Sequence, residues 1–60
     1  MGAKNRNTRP RIVTAAWKLF YEQGYGETTV EDIIRVSAVS KGTFYHYFNG
    51  KDALLSTLSD

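Results

Sequence analysis

The chain has 60 residues, a net charge of +2 and no cysteine. A chain of this length forms one small domain at most and buries only about 60% of the surface that its unfolded form exposes. The absence of cysteine excludes a disulfide framework and a thiolate metal cluster, and a single histidine excludes a multi-histidine metal site. No apolar stretch approaches the roughly 20 residues of a membrane helix, and the N-terminus lacks the apolar block of a secretory signal. We therefore expect a soluble, cytoplasmic, all-α module without a metal or another cofactor.

The charge is distributed unevenly along the sequence. Residues 1–11 carry a charge of +4 and no acidic residue, whereas residues 12–60 carry a charge of −2. We interpret residues 1–10 as a basic polar arm that precedes the folded part, residues 11–60. Such an arm either keeps the chain soluble or is attracted to phosphate, and composition alone favours neither explanation.

The first predicted helix covers residues 9–23. Apolar residues recur there at the spacing of a single helix face: Ile12, Ala15, Ala16, Leu19 and Phe20. Thr8 is expected to be the N-cap of this helix, and Gly24 is expected to end it. Trp17, on the flank of the helix, is predicted to be a packing residue. Tyr25 lies between the two glycines of the following link and is expected to point inward.

Capping signals place a short second helix at residues 30–36. Thr28 and Glu31 have the residue types and spacing of a capping box, and Thr29 and Asp32 are a near match in the next register. The two acidic side chains would lie in the first turn, where the helix dipole favours negative charge. The apolar residues that we expect to face inward are Val30, Ile33 and Ile34.

Two further helices follow. Ser40 is predicted to cap a third helix at residues 41–47, and a fourth helix is expected to begin near Lys51. Two short helices that are joined by three residues and held on a longer first helix are the components of a helix-turn-helix, here at about residues 30–48. The sequence therefore predicts an all-α, three-helix, homeodomain-like domain with the start of a fourth helix.

The third helix has an outward face that is typical of nucleic-acid binding. At roughly 100° per residue, Phe44 and Phe48 face the core. The opposite face holds Gly42 and His46, its flanks hold Thr43 and Tyr45, and its shoulders hold Lys41 and Tyr47. No acidic residue lies between residues 40 and 51, whereas an ordinary solvated face is rich in Glu and Lys. Small, flat and hydrogen-bonding groups suit close approach to a nucleic-acid groove.

Several of these residues also have ordinary structural explanations. Tyr45 and Tyr47 could extend the aromatic core with their hydroxyl groups in water. His46 could be a surface side chain, and a metal-binding role is disfavoured because the sequence offers no partner ligands. Glycine at position 42 destabilises a helix by roughly 0.8–1 kcal/mol relative to alanine. Either close approach of a phosphate offsets this loss, or the glycine is present by chance. Ser40 and His46 lack the orienting carboxylate of a catalytic site, so we expect no enzymatic activity.

Three blocks of the sequence carry a family resemblance. They are Thr-Thr-Val-Glu-Asp-Ile-Ile from residue 28, Val-Ser-Lys-Gly-Thr-Phe-Tyr-His-Tyr-Phe from residue 39, and Lys-Asp-Ala-Leu-Leu from residue 51. Together with the first helix, they resemble the N-terminal DNA-binding domain of the tetracycline-repressor (TetR) family over about residues 11–58. The resemblance implies that the third helix enters the major groove. It also implies that the fourth helix leads to a C-terminal domain that binds a ligand and forms dimers.

The resemblance further implies roles for individual residues. Thr29 matches a phosphate contact at the start of the second helix, and Lys51 matches a phosphate-binding lysine at the start of the fourth. Glu31 matches a position that reaches bases in some members. The residues that match recognition-helix contacts are Ser40, Lys41, Gly42, Thr43, Tyr45, His46 and Tyr47. Of these, we interpret Lys41, Thr43 and His46 as contacts to base edges and the two tyrosines as phosphate contacts.

The sequence departs from the family pattern at three points. Ala38 stands in the turn where the family usually has glycine, which costs about 1–2 kcal/mol if this residue needs a positive φ. Asn49-Gly50 replaces the frequent Pro-Ser pair and predicts a weaker cap for the fourth helix. The C-terminal ligand-binding and dimerisation domain is absent from these 60 residues.

The residue pattern predicts a DNA-binding domain, and the family resemblance implies that it belongs to a ligand-relieved repressor that acts as a homodimer on a palindromic double-stranded operator. A small-molecule effector is expected only in a full-length protein. The alternative is a small helical module that docks on a partner protein through its aromatic third helix. DNA binding would weaken steeply with ionic strength, whereas aromatic docking would not. A membrane-surface helix is disfavoured because the basic arm lacks an apolar face.

Overall fold

The computed structural model describes residues 8–57, which form four α-helices and no strand. The helices are α1 (Thr8–Gln23), α2 (Val30–Ser37), α3 (Lys41–Tyr47) and α4 (Lys51–Leu55). The predicted all-α class and the order of the helices are confirmed, and the boundaries predicted for the first three agree within one residue. Residues 1–7 of the predicted basic arm and residues 58–60 lie outside the described part of the chain. No described helix is long and apolar enough to cross a membrane.

The N-terminal end of α1 differs from the prediction. Thr8 occupies the first helical position, so it does not precede the helix as an N-cap, and residues 8–10 of the predicted arm are helical. The helix can include Pro10 in its first turn because an amide there would have no intrahelical partner in any case. At the other end, the amide of Gly24 donates to Phe20 O at 2.9 Å with φ at 94°, which confirms the predicted end of the helix.

The four helices enclose one hydrophobic core. Its buried members are Ile12, Ala16, Leu19, Phe20, Ile33, Phe44, Phe48 and Leu54. The ring of Tyr25 packs 5.1 Å from that of Phe20, which confirms Tyr25 as an inward anchor of the link. Trp17 packs edge-on against Phe20 at 5.0 Å and donates its Nε1–H to Thr57 Oγ1 at 3.0 Å. The predicted packing role of Trp17 is therefore confirmed, and its hydrogen bond joins α1 to the residues that follow α4.

The capping box of α2 forms in the later of the two registers that the sequence offered. The side chain of Thr29 accepts from the Asp32 amide at 3.1 Å, and Asp32 Oδ2 accepts from the Thr29 amide at 3.2 Å. Thr28 is instead fully buried and donates its hydroxyl to Gly24 O at 2.8 Å, so the prediction of a box starting at Thr28 is wrong. Arg35 lies 2.7 Å from Asp32 and, with the Thr29 amide, holds the pKa of that carboxyl below its ordinary value.

Ala38 makes the turn between α2 and α3 in the left-handed conformation. Its φ is 61° and its ψ is 39°, and it is the only non-glycine residue of the described chain with a positive φ. The Ala38 amide donates to Ile34 O at 3.0 Å and to Arg35 O at 3.3 Å, which closes α2. Ser40 then caps α3 by accepting from the Thr43 amide at 3.1 Å. The positive φ at Ala38 and the cap at Ser40 are both as predicted.

Candidate nucleic-acid interface

Two aromatic residues fix the orientation of α3 on the core. Phe44 is fully buried, and Phe48, directly after the helix, is 4% exposed. Their rings lie 5.9 Å apart. Because successive side chains of a helix are rotated by roughly 100°, burial of these two residues determines which side chains point away from the core. The inward face predicted for the third helix is therefore confirmed.

The side chains on the opposite side of α3 are accessible. Tyr45 packs its edge against Phe44 at 5.1 Å and is still 44% exposed, while Tyr47 is 40% exposed and packs against His46 at 4.9 Å. The contact with buried Phe44 agrees with the structural alternative for Tyr45, and both tyrosines also present accessible surface. Lys41 and His46 are exposed as well. Within residues 8–57, no three His, Asp or Glu side chains come together as metal ligands.

A shallow depression of about 520 Å³ follows this side of α3. Its lining residues are Thr8, Ser40, Gly42, Thr43, His46 and Tyr47. The structure thus brings together five of the predicted recognition residues and adds Thr8, which sequence reasoning treated only as a helix cap. Hydroxyl and imidazole groups line the depression, so a partner that lies in it meets both donors and acceptors of hydrogen bonds.

Gly42 leaves open space on the outward side of α3. A Cβ atom built on Gly42 would meet no heavy atom within 4 Å. The roughly 0.8–1 kcal/mol by which glycine weakens a helix relative to alanine is therefore not offset by closer packing inside the described domain. The two explanations that the sequence left open, close approach to a bound partner and chance, are both compatible with this open space.

Ser40 orients the hydroxyl group of Thr43. The Ser40 hydroxyl donates to Thr43 Oγ1 at 2.8 Å and also accepts from the Thr43 amide. A hydroxyl has one donor and two acceptor positions, so Thr43 retains its own O–H for donation to a partner. Ser40 therefore contributes to the surface both by starting α3 and by fixing a neighbouring side chain.

Lys51 is held within the domain, unlike the exposed Lys41. Its Nζ donates to the carbonyl oxygens of Tyr25 and Thr28, both at 2.7 Å, and lies 4.3 Å from the centroid of the Tyr25 ring. The Tyr25 hydroxyl donates to Asp52, which raises the pKa of Tyr25. We call Tyr25, Thr28, Lys51 and Asp52 the α4 latch, since they join the start of α4 to the link before α2. Two of the three N–H groups of the ammonium are thereby used internally.

The α4 latch was not predicted from the sequence, although two features of the sequence pointed to it. Tyr25 was expected to anchor the link, and Gly50 was expected to cap α4 weakly. The start of α2 does not line the depression either: Thr29 and Glu31 are exposed at the first turn of that helix. The predicted site residues thus divide into one group along α3 and two separate positions, Thr29 and Lys51.

The arrangement of α2, the turn at Ala38 and the exposed α3 defines a helix-turn-helix domain of the DNA-binding class. Comparison with known proteins agrees with this class: the sequence model of the family described as bacterial regulatory proteins, tetR family, matches residues 12–58. The chain belongs to this family, and its four helices form the N-terminal helix-turn-helix domain of a TetR-family transcriptional regulator.

Three relatives illustrate the similarity. The chain is 41% identical over 56 residues to an uncharacterised HTH-type transcriptional regulator in the lacX 3′ region of Lactococcus lactis subsp. lactis. It is 51% identical over 47 residues to the HTH-type transcriptional regulator HbdR of Aromatoleum sp. (strain CIB), and 38% identical over 55 residues to the HTH-type transcriptional regulator TtgR of Pseudomonas putida. These alignments cover 92%, 78% and 92% of the chain, but only 29%, 20% and 26% of the respective relatives.

Proposed function

We propose that this domain binds double-stranded DNA sequence-specifically by placing the outward side of α3 in the major groove. The observation that carries the proposal is the accessible face of α3: hydrogen-bonding side chains, open space beside Gly42 and no acidic residue between residues 40 and 51. Membership of a family of transcriptional regulators supports the same function. DNA binding implies that the protein acts in the cytoplasm.

The accessible side chains of α3 divide into two groups by their chemistry. Lys41, Thr43 and His46 are proposed to contact base edges, because each can donate to the acceptor atoms that bases present in the major groove. Tyr45 and Tyr47, on the flanks, are proposed to contact phosphates and so to set the register of the helix. Ser40 orients Thr43, and Gly42 permits the helix to approach closely.

Two further phosphate contacts are proposed outside α3. The Thr29 hydroxyl oxygen accepts the capping hydrogen bond from Asp32, which leaves its O–H for donation to a phosphate. Lys51 has one N–H group beyond the two that the α4 latch uses. We therefore propose that Lys51 contacts a phosphate with that single donor while the latch holds the rest of the ammonium in place.

The function can be tested by comparing three single substitutions on selected and random DNA. A best site is first selected from random duplexes, and binding is then measured by fluorescence anisotropy. Thr43→Ala and His46→Ala should each weaken binding to the best site by roughly 1–3 kcal/mol and should change binding to random duplexes little. Thr14→Ala is the matched control, since Thr14 is exposed on α1 away from the depression.

The same titrations distinguish DNA binding from the alternative of a protein-interaction module. The logarithm of the association constant of the unsubstituted chain for DNA should fall linearly with log[salt], because phosphate contacts release counterions. If lowering the salt concentration did not strengthen binding of the chain to any duplex, the proposal would be contradicted. In that case the exposed aromatic face of α3 would be the docking surface of the alternative.

We further propose that the regulator is a repressor that acts as a homodimer on a palindromic operator and is relieved by a small-molecule effector. The relatives are several times longer than this chain, which leaves room in them for a second domain that dimerises and binds a ligand. To test the dimer, a dimerising coiled coil is fused after Asp60. The fusion should bind a palindrome about 10²- to 10⁴-fold more tightly than a single half-site. Equal affinities for the two duplexes would contradict the dimeric arrangement.

A further inference from the structure

The first turn of α1 lies beside the outward side of α3. Thr8 lines the same depression as Gly42 and His46. The guanidinium carbon of Arg9 lies 5.5 Å from the centroid of the Phe48 ring, directly after the end of α3. The start of α1 is thus part of the surface that α3 presents, although the two segments are more than thirty residues apart in sequence.

Arg9 and Arg11 point to different parts of the molecule. Two residues along a helix are separated by about 200° around its axis. Arg9 lies over Phe48, whereas Arg11 Nη1 donates to Ser37 O at the end of α2, at 3.5 Å. Both side chains belong to the basic segment of residues 1–11, so the fold gives two chemically identical charges of that segment different positions.

The contact with Phe48 prepares Arg9 for binding an anion. The exposed guanidinium over an aromatic ring is held by a cation–π interaction, which uses none of its five N–H donors. Holding a long side chain in place before binding reduces the conformational entropy that binding must remove. Phosphate oxygens match the fork of guanidinium N–H groups in geometry and charge.

We propose that Arg9 is a further DNA contact, which binds a backbone phosphate at the edge of the groove that α3 enters and is positioned there by Phe48. This inference rests on the proposed function, because only DNA that docks along α3 brings a phosphate to this edge. Sequence analysis assigned no role to Arg9 beyond the charge of the arm. The tertiary contact with Phe48, directly after α3, distinguishes this arginine from Arg11, which contacts the end of α2.

The test compares Arg9→Gln with the matched control Arg11→Gln, which removes the same charge from the same helical turn. Binding to a random duplex is measured over a series of salt concentrations. Arg9→Gln should reduce the magnitude of the slope of log K against log[salt] by about one unit, as expected for one lost phosphate contact. Arg11→Gln should leave the slope unchanged. Arg9→Lys retains the charge and should retain the slope.

The following results would overturn the proposed phosphate contact of Arg9. Equal losses of slope in Arg9→Gln and Arg11→Gln would overturn the inference, because they would reflect net charge and no specific contact. An unchanged slope in Arg9→Gln, with salt-dependent binding by the unsubstituted chain, would overturn the inference and leave the proposed function intact. A circular dichroism melt shows whether each variant is folded. Should Arg9→Gln fail to fold, Arg9→Ala decides by the same comparison: a slope equal to that of the unsubstituted chain overturns the inference.

Discussion

The starts of α3 and α4 each carry a lysine, but the two helices are stabilised there in different ways. α3 has Ser40 as its N-cap, with a side-chain hydrogen bond to the Thr43 amide. α4 has Gly50 at the corresponding position and no side-chain cap. Lys41 is exposed at the start of α3, whereas Lys51 forms the α4 latch with the link before α2.

A local cap and a set of tertiary contacts are two ways to stabilise the start of a helix. A helix that begins with its own hydrogen-bonding cap needs no tertiary contact at its first turn, so its first residues can face a partner. A short helix without such a cap has too few internal hydrogen bonds to be stable by itself and depends on contacts with the rest of the domain. Lys51 and Asp52 supply such contacts for α4, together with Leu54, which is buried in the core.

The largest difference in stability is expected between two variants, one that removes the charge of Lys51 and one that removes the charge of Lys41. Lys51→Met keeps the apolar stem but removes both hydrogen bonds to backbone carbonyls, so it should lower the free energy of unfolding by about 1–3 kcal/mol. Lys41→Met removes an exposed charge and should change it by less than about 0.5 kcal/mol. Urea denaturation of the two variants measures the difference. Equal losses would show that Lys51 in the α4 latch contributes no more to stability than the exposed Lys41 does.

A smaller effect is expected at the turn that precedes the capped helix. Ala38→Gly should raise the free energy of unfolding by about 1 kcal/mol, because φ is 61° and glycine adopts this conformation without a steric penalty. The gain is reduced by the greater entropy that glycine gives to the unfolded chain. The denaturation midpoint of the variant decides the sign. A lower midpoint would show that the alanine is not strained in this turn.

The smallest effect is expected from giving α4 the cap that it lacks. A Cβ at Gly50 would meet no heavy atom within 4 Å, and the φ of 172° is extended backbone that any residue adopts. Gly50→Ser should therefore raise the free energy of unfolding by roughly 0.3–1 kcal/mol, through a new capping bond and a less flexible unfolded chain. Combining it with Lys51→Met in a double-mutant cycle measures whether a local cap reduces the need for the latch.

A gain from Gly50→Ser that is larger in the Lys51→Met background would support such compensation. The same gain in both backgrounds would mean that the cap and the α4 latch act independently. The absence of a cap would then not make α4 more dependent on the latch.

Most of the fold was predictable because its signals are local. The spacing of apolar residues in α1, the cap at Ser40 and the two aromatic residues Phe44 and Phe48 each define structure within a few neighbouring positions. The error at Thr28 arose where two adjacent threonines had similar capping patterns. Burial of one of them, which depends on the packing of the link against the rest of the domain, selected the other as the cap.

The candidate site was only partly predictable for the same reason. The face of α3 follows from the helical period once Phe44 is placed in the core, so the sequence could specify Lys41, Thr43 and His46 as outward residues. Helical periodicity carries no information on which groups meet across large separations in sequence. The positions of Lys51 beside Tyr25 and of Arg9 over Phe48 therefore came only from the structure.

The sequence by itself determined the helices, the faces that α1, α2 and α3 bury and the family to which the chain belongs, because these depend on residue type and spacing along the chain. The tertiary structure alone decided how two similar lysines and two similar arginines are used. A charged side chain interacts with whatever lies within a few ångströms of its head group, and packing brings distant segments to that distance. Lys51 is therefore held by the link while Lys41 is exposed, and Arg9 lies at the surface of α3 while Arg11 contacts the end of α2.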